Sequence, residues 1–163
     1  MDAYAVSDPM VQAVRDGHRQ TVMRLIRAGS RVNRPVRHID ALYHLLHIAV
    51  ERGDRDMAAL LLDRKANVEA VETGQGETAL SLACNTGHFV IARLLVDRGA
   101  VVNHVAIDGA TPLYNASKRG HLDIARLMLD RGAVVDAPKH TGFTPLWSAC
   151  FNGHFSIAHL LMD

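Results

Sequence analysis

The chain has 163 residues and a mass of 17.8 kDa, with 48% apolar residues, 21% charged residues and a formal net charge of +1. That is long enough for one domain with a core and too apolar for disorder, and no apolar run approaches the ~18 residues of a membrane span. Eighteen Lys and Arg against seventeen Asp and Glu argue against wholesale attraction to nucleic acid or to an anionic membrane, leaving local patches only. The opening MDAYAVSDPM has no basic, apolar leader, and two cysteines, Cys84 and Cys150, make no disulfide framework. An intracellular soluble protein, cytoplasmic or nuclear, is expected.

Taken in order, the elements repeat. Asp8-Pro-Met-Val-Gln-Ala opens a short helix that should end near Gly17, and a second helix should close at Gly29 with Ser-Arg-Val-Asn behind it. His44-Leu-Leu-His-Ile-Ala restarts the pattern thirty-six residues on and runs through Gly53 to Asn67-Val-Glu. Thr78-Ala-Leu-Ser-Leu-Ala with Gly87-His88 follows thirty-four residues later, then Thr111-Pro-Leu-Tyr-Asn-Ala with Gly120-His121 and Thr144-Pro-Leu-Trp-Ser-Ala with Gly153-His154, each at thirty-three. Thr111 and Thr144 can cap helices whose first residue is Pro112 or Pro145, where a missing N–H costs nothing. Second helices carry apolar residues at helical spacing, as Ile124, Leu127 and Met128 do. They should close at Gly29, Gly99 and Gly132, but Lys65 stands at the equivalent place in the second copy, a left-handed position costing a non-glycine residue about 1 kcal/mol. No copy can bury its apolar stripe alone, so stacked neighbours must form the core.

The Thr-Pro-Leu, Gly-His, Leu-Leu, Gly-Ala and Val-Asn residues in series resemble the ankyrin repeat over residues 8–163, best over 73–138. The resemblance implies an all-α solenoid of helix-turn-helix units joined by β-hairpin-like loops. Residues 1–163 are read as one array, with repeats at about 7–38, 39–72, 73–105, 106–138 and a truncated 139–163. The first copy lacks the Thr-Pro-Leu-His form, three residues are inserted within Pro35–Ile39, and Leu42 occupies the place of the usual hairpin glycine. The last copy stops at Asp163 before its Gly-Ala, so the chain is expected to be a fragment of a longer protein or to pair its end with something.

Catalytic chemistry is not expected. His18, His88, His121 and His154 are the histidines of Gly-His, and His47 that of Thr-Pro-Leu-His; repeats set equivalent residues too far apart to share a metal at ~2 Å bond lengths. Cys84 and Cys150 are two repeats apart, beyond the ~7 Å limit between α-carbons for a disulfide, and read as small buried packing residues. Asp97, Asp130 and Asp163 recur at thirty-three and mark a repeated surface site. No phosphate loop, dinucleotide fingerprint or nucleophile elbow occurs, so neither enzyme activity, cofactor nor metal is expected.

What the resemblance implies instead is a concave face of hairpin tips and first helices that contacts a protein partner, with no nucleic acid and no membrane insertion. Copy by copy that face takes in Arg15 and Asp16, Glu51 and Arg52, Asn85 and Thr86, Lys118 and Arg119, Phe151 and Asn152. Hairpin-tip candidates are Gln75, Glu77, Ile107, Asp108, Ala110, His140, Thr141 and Phe143. Five of eight aromatics (Tyr114, Phe143, Trp147, Phe151, Phe155) lie in the last fifty residues. Phe143, Trp147 and Phe151 are candidate interface anchors, or packing for a missing C-terminal portion or the neighbouring hairpin, whereas Phe155 leans to the core. A second departure is basic: Arg15, Arg19, Arg24, Arg27, Arg31, Arg34 and Arg37 face one acid, Asp16, within residues 10–38. They read as a solvated surface or as a dock for an acidic or phosphorylated segment. The expected function is a scaffold or adaptor module, monomeric or part of a longer chain. The alternative is the targeting region of a larger enzyme or ubiquitin-ligase adaptor.

Overall fold

The computed structural model describes residues 8–33, 35–38 and 41–163, and for the strand residues 36–38 and 41–43 the backbone only. The described residues form ten helices and one two-stranded hairpin. The order is α1 (Pro9–Arg15), α2 (Arg19–Arg27), β1 (Val36–His38), β2 (Ala41–Tyr43), α3 (Leu45–Glu51), α4 (Arg55–Asp63), α5 (Ala79–Thr86), α6 (Phe89–Asp97), α7 (Pro112–Arg119), α8 (Leu122–Asp130), α9 (Pro145–Phe151) and α10 (Phe155–Met162). Each pair is an antiparallel helix hairpin, and the pairs stack. The first helices pack in sequence, α1 on α3, α3 on α5, α5 on α7 and α7 on α9; α4, α6, α8 and α10 form the second layer. Between the layers one apolar core runs from Met10 to Leu161, with Leu46, Leu61, Leu80, Leu95, Leu113 and Met128 fully buried.

Helix starts follow the sequence chemistry. Thr78, Thr111 and Thr144 accept from the backbone N–H three residues on, and Asp8 accepts from Met10 N at 2.9 Å. His44 takes the same place without a side-chain capping bond. Second helices differ: His18, His88, His121 and His154 occupy the cap position but do not cap, and Asp54, their counterpart in the second copy, accepts from Met57 N at 2.9 Å. The histidines act across the stack. The ring of His88 lies 2.9 Å from where a β-carbon on Gly53 would stand.

Three further ladders lock one repeat to the next. Asn103 donates to Gly132 O at 2.9 Å and accepts from Val134 N at 2.9 Å; Asn33 donates to Lys65 O at 2.8 Å and accepts from Asn67 N at 2.6 Å. Glu69, equivalent in the second copy, has no donor and only accepts, from Val101 N at 3.0 Å. The aspartates ending α4 and α6 pair with the arginine one repeat on: Asp63 with Arg98 at 2.9 Å, Asp97 with Arg131 at 3.0 Å. Hairpin tips join through the backbone, Ile107 N to Gln75 O at 2.8 Å and His140 N to Asp108 O at 3.1 Å.

Two local expectations are settled. Lys65 does adopt the left-handed conformation, at φ 66°, and among the described residues it is the one non-glycine to do so. Leu42 is not a turn residue: β1 and β2 pair antiparallel with Leu42 opposite Arg37, so the residues inserted before the second repeat extend its hairpin into strands.

Candidate functional site

The candidate face takes in the hairpin tips and the C-terminal turns of the first helices, where Glu51, Asn85, Thr86, Lys118, Arg119 and Phe151 lie. At its C-terminal end three side chains meet that the sequence places at i, i+4 and i+8. Phe143, on the hairpin before α9, stacks on Trp147 of α9 with ring centroids 3.8 Å apart, and Trp147 stacks on Phe151 at 4.8 Å; both pairs are tilted by 12°. A stacked pair at the Trp147–Phe151 separation is worth about 0.5–1.5 kcal/mol beyond burial. The rings stay open to solvent nonetheless, Phe143 at 40%, Trp147 at 41% and Phe151 at 74%. The residues equivalent to Trp147 are buried: His47, Ser81 and Tyr114 each have a following repeat beside them, and α9 has α7 on one side only.

The middle of the face is polar and interlocked. Glu72 is buried and accepts from the amides of Gly74, Gln75 and Glu77, tying the hairpin tip. Glu77 accepts from Asn115 Nδ2 at 2.9 Å, one repeat on. Burial pushes the Glu77 carboxyl above its ordinary value, Asn115 opposes this, and Glu72 adds repulsion. Asp108 is tied by the Lys139 ammonium and by Ala110 N at 2.9 Å. Its burial is outweighed by Lys139 and that amide, so its carboxyl sits below the usual value. Lys139 also lies over the Tyr114 ring, 5.3 Å from the centroid. His47 is fully buried and its Nε2–H donates to Glu77 O at 3.1 Å; burial lowers its pKa to about 4.

A family model described as ankyrin repeats (3 copies) matches residues 10–106 and 102–163. The chain belongs to the ankyrin repeat family. Curated proteins agree over shorter stretches. An ankyrin repeat protein of Acanthamoeba polyphaga mimivirus is 31% identical over 102 residues, covering 63% of this chain and 13% of that protein. An ankyrin repeat and KH domain-containing protein of Caenorhabditis briggsae is 32% identical over 92 residues, 56% of this chain and 4% of its own. An inactive serine/threonine-protein kinase of Mus musculus is 37% identical over 73 residues, 45% and 5% respectively. The chain thus spans 13% or less of the length of these relatives. Ankyrin repeats are generally protein–protein interaction modules and typically non-catalytic.

Within this ankyrin array the other sequence candidates separate. Glu51, Arg52, Thr86, Lys118, Arg119 and Ile107 are exposed, while Asn85 and Asp108 are half-buried. Arg119 Nε donates to Asn85 Oδ1 at 2.8 Å, which joins two candidates from adjacent repeats. Ala110 is not a free hairpin-tip residue: it is 4% exposed and packs with Ala106 and Tyr114. Phe155 is not core. It is 68% exposed, and Phe89 at the same position of the third repeat is exposed too, at 36%, although Leu122 at that position of the fourth packs against the core. Cys150 is exposed whereas Cys84 is buried against Met128, Sγ to Sδ 3.8 Å; α7 packs on α5, and among the described residues the only first helix packed on α9 is α7. Of the arginines, Arg19 pairs with Asp54 at 3.6 Å and Asp56 at 3.1 Å, Arg15 is half-buried, and Arg24, Arg27 and Arg31 are exposed. Arg34 and the side chain of Arg37 lie outside the described residues.

Glu72 and the Glu77–Asn115 bond escape sequence reasoning, because their roles depend on hairpin shape and on a contact across a repeat boundary. No group of three or more His, Cys, Asp or Glu among the described residues could hold a metal ion, and no described helix is long and apolar enough to cross a membrane.

Proposed function

We propose that this ankyrin array is a scaffold or adaptor module that binds a protein partner across the face of hairpin tips and first helices. The observation that carries the reading is the solvent-open stack of Phe143, Trp147 and Phe151 on that face. Aromatic anchors of this kind contribute about 2 kcal/mol or more each when a partner buries them. Rings held by one another have little rotamer freedom left to lose on binding, so docking costs less ordering entropy. Asp108, Lys118, Arg119, Asn85, Thr86, Glu51 and Arg52 supply the polar remainder of the contact and Ile107 an exposed apolar one, with no single charge sign among them. Residues 1–163 act as one array in this reading, with repeats at about 7–38, 39–72, 73–105, 106–138 and 139–163, inside the cell and either as a monomer or within a longer chain.

The relatives' far greater length supports a second reading, in which the array is the targeting region of a larger enzyme or ubiquitin-ligase adaptor. Affinity capture with the wild-type chain and with Phe143→Ala and Phe151→Ala tests the role of the stack. Loss of a captured protein with melting temperature unchanged supports an anchor. Unchanged capture with a lowered melting temperature shows that the rings serve packing alone.

A further inference from the structure

The ladder of aspartate and arginine between repeats fails at one rung. Asp63 reaches Arg98 and Asp97 reaches Arg131, each time from the last residue of a second helix to the residue after the next second helix. In the first repeat the aspartate position is Arg27, the last residue of α2, and its counterpart one repeat on is Arg64. By that equivalence two guanidinium groups fall on the rung that carries opposite charges in the later repeats. Arg24, one turn before Arg27 on the same side of α2, takes the place that Leu60, Leu94 and Leu127 hold in later repeats. The α2 helix contains no acid at all, while α4, α6 and α8 each end on aspartate. Arg24 and Arg27 are exposed and Arg64 is half-buried; none of the three has an ion pair with a described residue.

We propose that Arg24, Arg27 and Arg64 form an anion-binding site on the second-helix layer, occupied by a phosphorylated or acidic peptide segment. This site is separate from the aromatic face of the proposed function, on a different layer and at the other end of the array. Planar guanidinium forks bind phosphate and carboxylate oxygens in pairs, and an anion between Arg27 and Arg64 replaces the missing aspartate. Arg31 lines a separate cleft with Asp8, whose carboxylate accepts from Met10 N. A peptide is favoured over a membrane surface because no large apolar side chain among residues 8–33 is exposed to insert beside the arginines.

Fluorescence anisotropy with a labelled peptide of alternating phosphoserine and glutamate tests the site, with its serine–glycine counterpart as control. Wild type binds the acidic peptide, and binding weakens steeply as salt is raised. Arg27→Asp rebuilds the rung by pairing with Arg64; it weakens the peptide by about tenfold or more and raises the melting temperature. Arg64→Gln, at the C-cap of α4 and without effect on α2, weakens binding in the same direction. Arg126→Asp on α8 carries the same change of net charge and leaves binding within about twofold. Equal loss in Arg27→Asp and Arg126→Asp, or no binding by wild type, overturns the proposal. So does association with vesicles of phosphatidylcholine and phosphatidylserine without binding of the peptide.

Discussion

The imidazole of His154 occupies the space that a β-carbon on Gly120 would need, its Cε1 standing 2.6 Å from that position. Gly87 stands in the same relation to His121, at 2.5 Å, and Gly53 to His88, at 2.9 Å, so in these three pairs the histidine of one repeat covers the glycine of the repeat before it. Gly120→Ala meets both this ring and a left-handed backbone at φ 82°. It should cost about 2–3 kcal/mol, whereas Gly132→Ala, also left-handed but with nothing within 4 Å, should cost about 1 kcal/mol. Urea unfolding of the two variants measures the difference, which is the contribution of the histidine contact.

Lys65 gives the converse case. At φ 66° it holds a conformation that glycine adopts without strain, and Gly29, Gly99 and Gly132 fill the equivalent place elsewhere. Lys65→Gly is expected to stabilise the chain by about 0.5–1 kcal/mol, read as a higher denaturant midpoint with an unchanged slope.

Acid should weaken the fold through His47. Burial holds its folded pKa at about 4 against an ordinary 6.5, so the unfolded chain binds the extra proton first. The stability this group contributes is complete above pH 6.5 and is lost as pH falls toward 4, by about 3 kcal/mol at most. Glu77 acts oppositely: its raised folded pKa favours the native state at low pH, and that stability is lost as pH rises through the folded value. In a thermal melt series His47→Gln should flatten the fall between pH 6.5 and 4, and Glu77→Gln should leave it steeper.

The two thiols should react at different times. Burial pushes the Cys84 thiol far above its ordinary pKa and shields it, whereas Cys150 is open to solvent. Iodoacetamide should modify Cys150 in the native protein and Cys84 only after denaturation, with mass spectrometry of the digested peptides as the readout.

These outcomes trace the boundary between what the sequence shows and what it hides. The repeat period, the Thr111-Pro112 and Thr144-Pro145 helix starts and the left-handed Lys65 are legible because every repeat imposes the same local backbone on its own residues. The earlier repeats also teach the wrong burial for the fifth. Cys150 and Trp147 inherit positions that are buried wherever a following repeat packs on them, and exposure there depends on the neighbour rather than on the local pattern. Phe155 misleads for another reason: an aromatic at the start of a second helix looks like core by type, yet Phe89 at the same place is exposed too. The aromatic stack was half legible, since 143, 147 and 151 share one helical side, but the hairpin had to bring Phe143 onto Trp147.

The most direct measurement on the proposed binding face is site-specific photocrosslinking in cells of full-length chains carrying a benzophenone side chain at one of two exposed positions. One replaces Phe151, on the aromatic stack; the other replaces Val90, 59% exposed on α6 in the second layer. A partner docked on the aromatic face predicts a discrete protein adduct from position 151 and none of that mass from position 90. An adduct of the same mass and yield from position 90, or none from position 151, would contradict it.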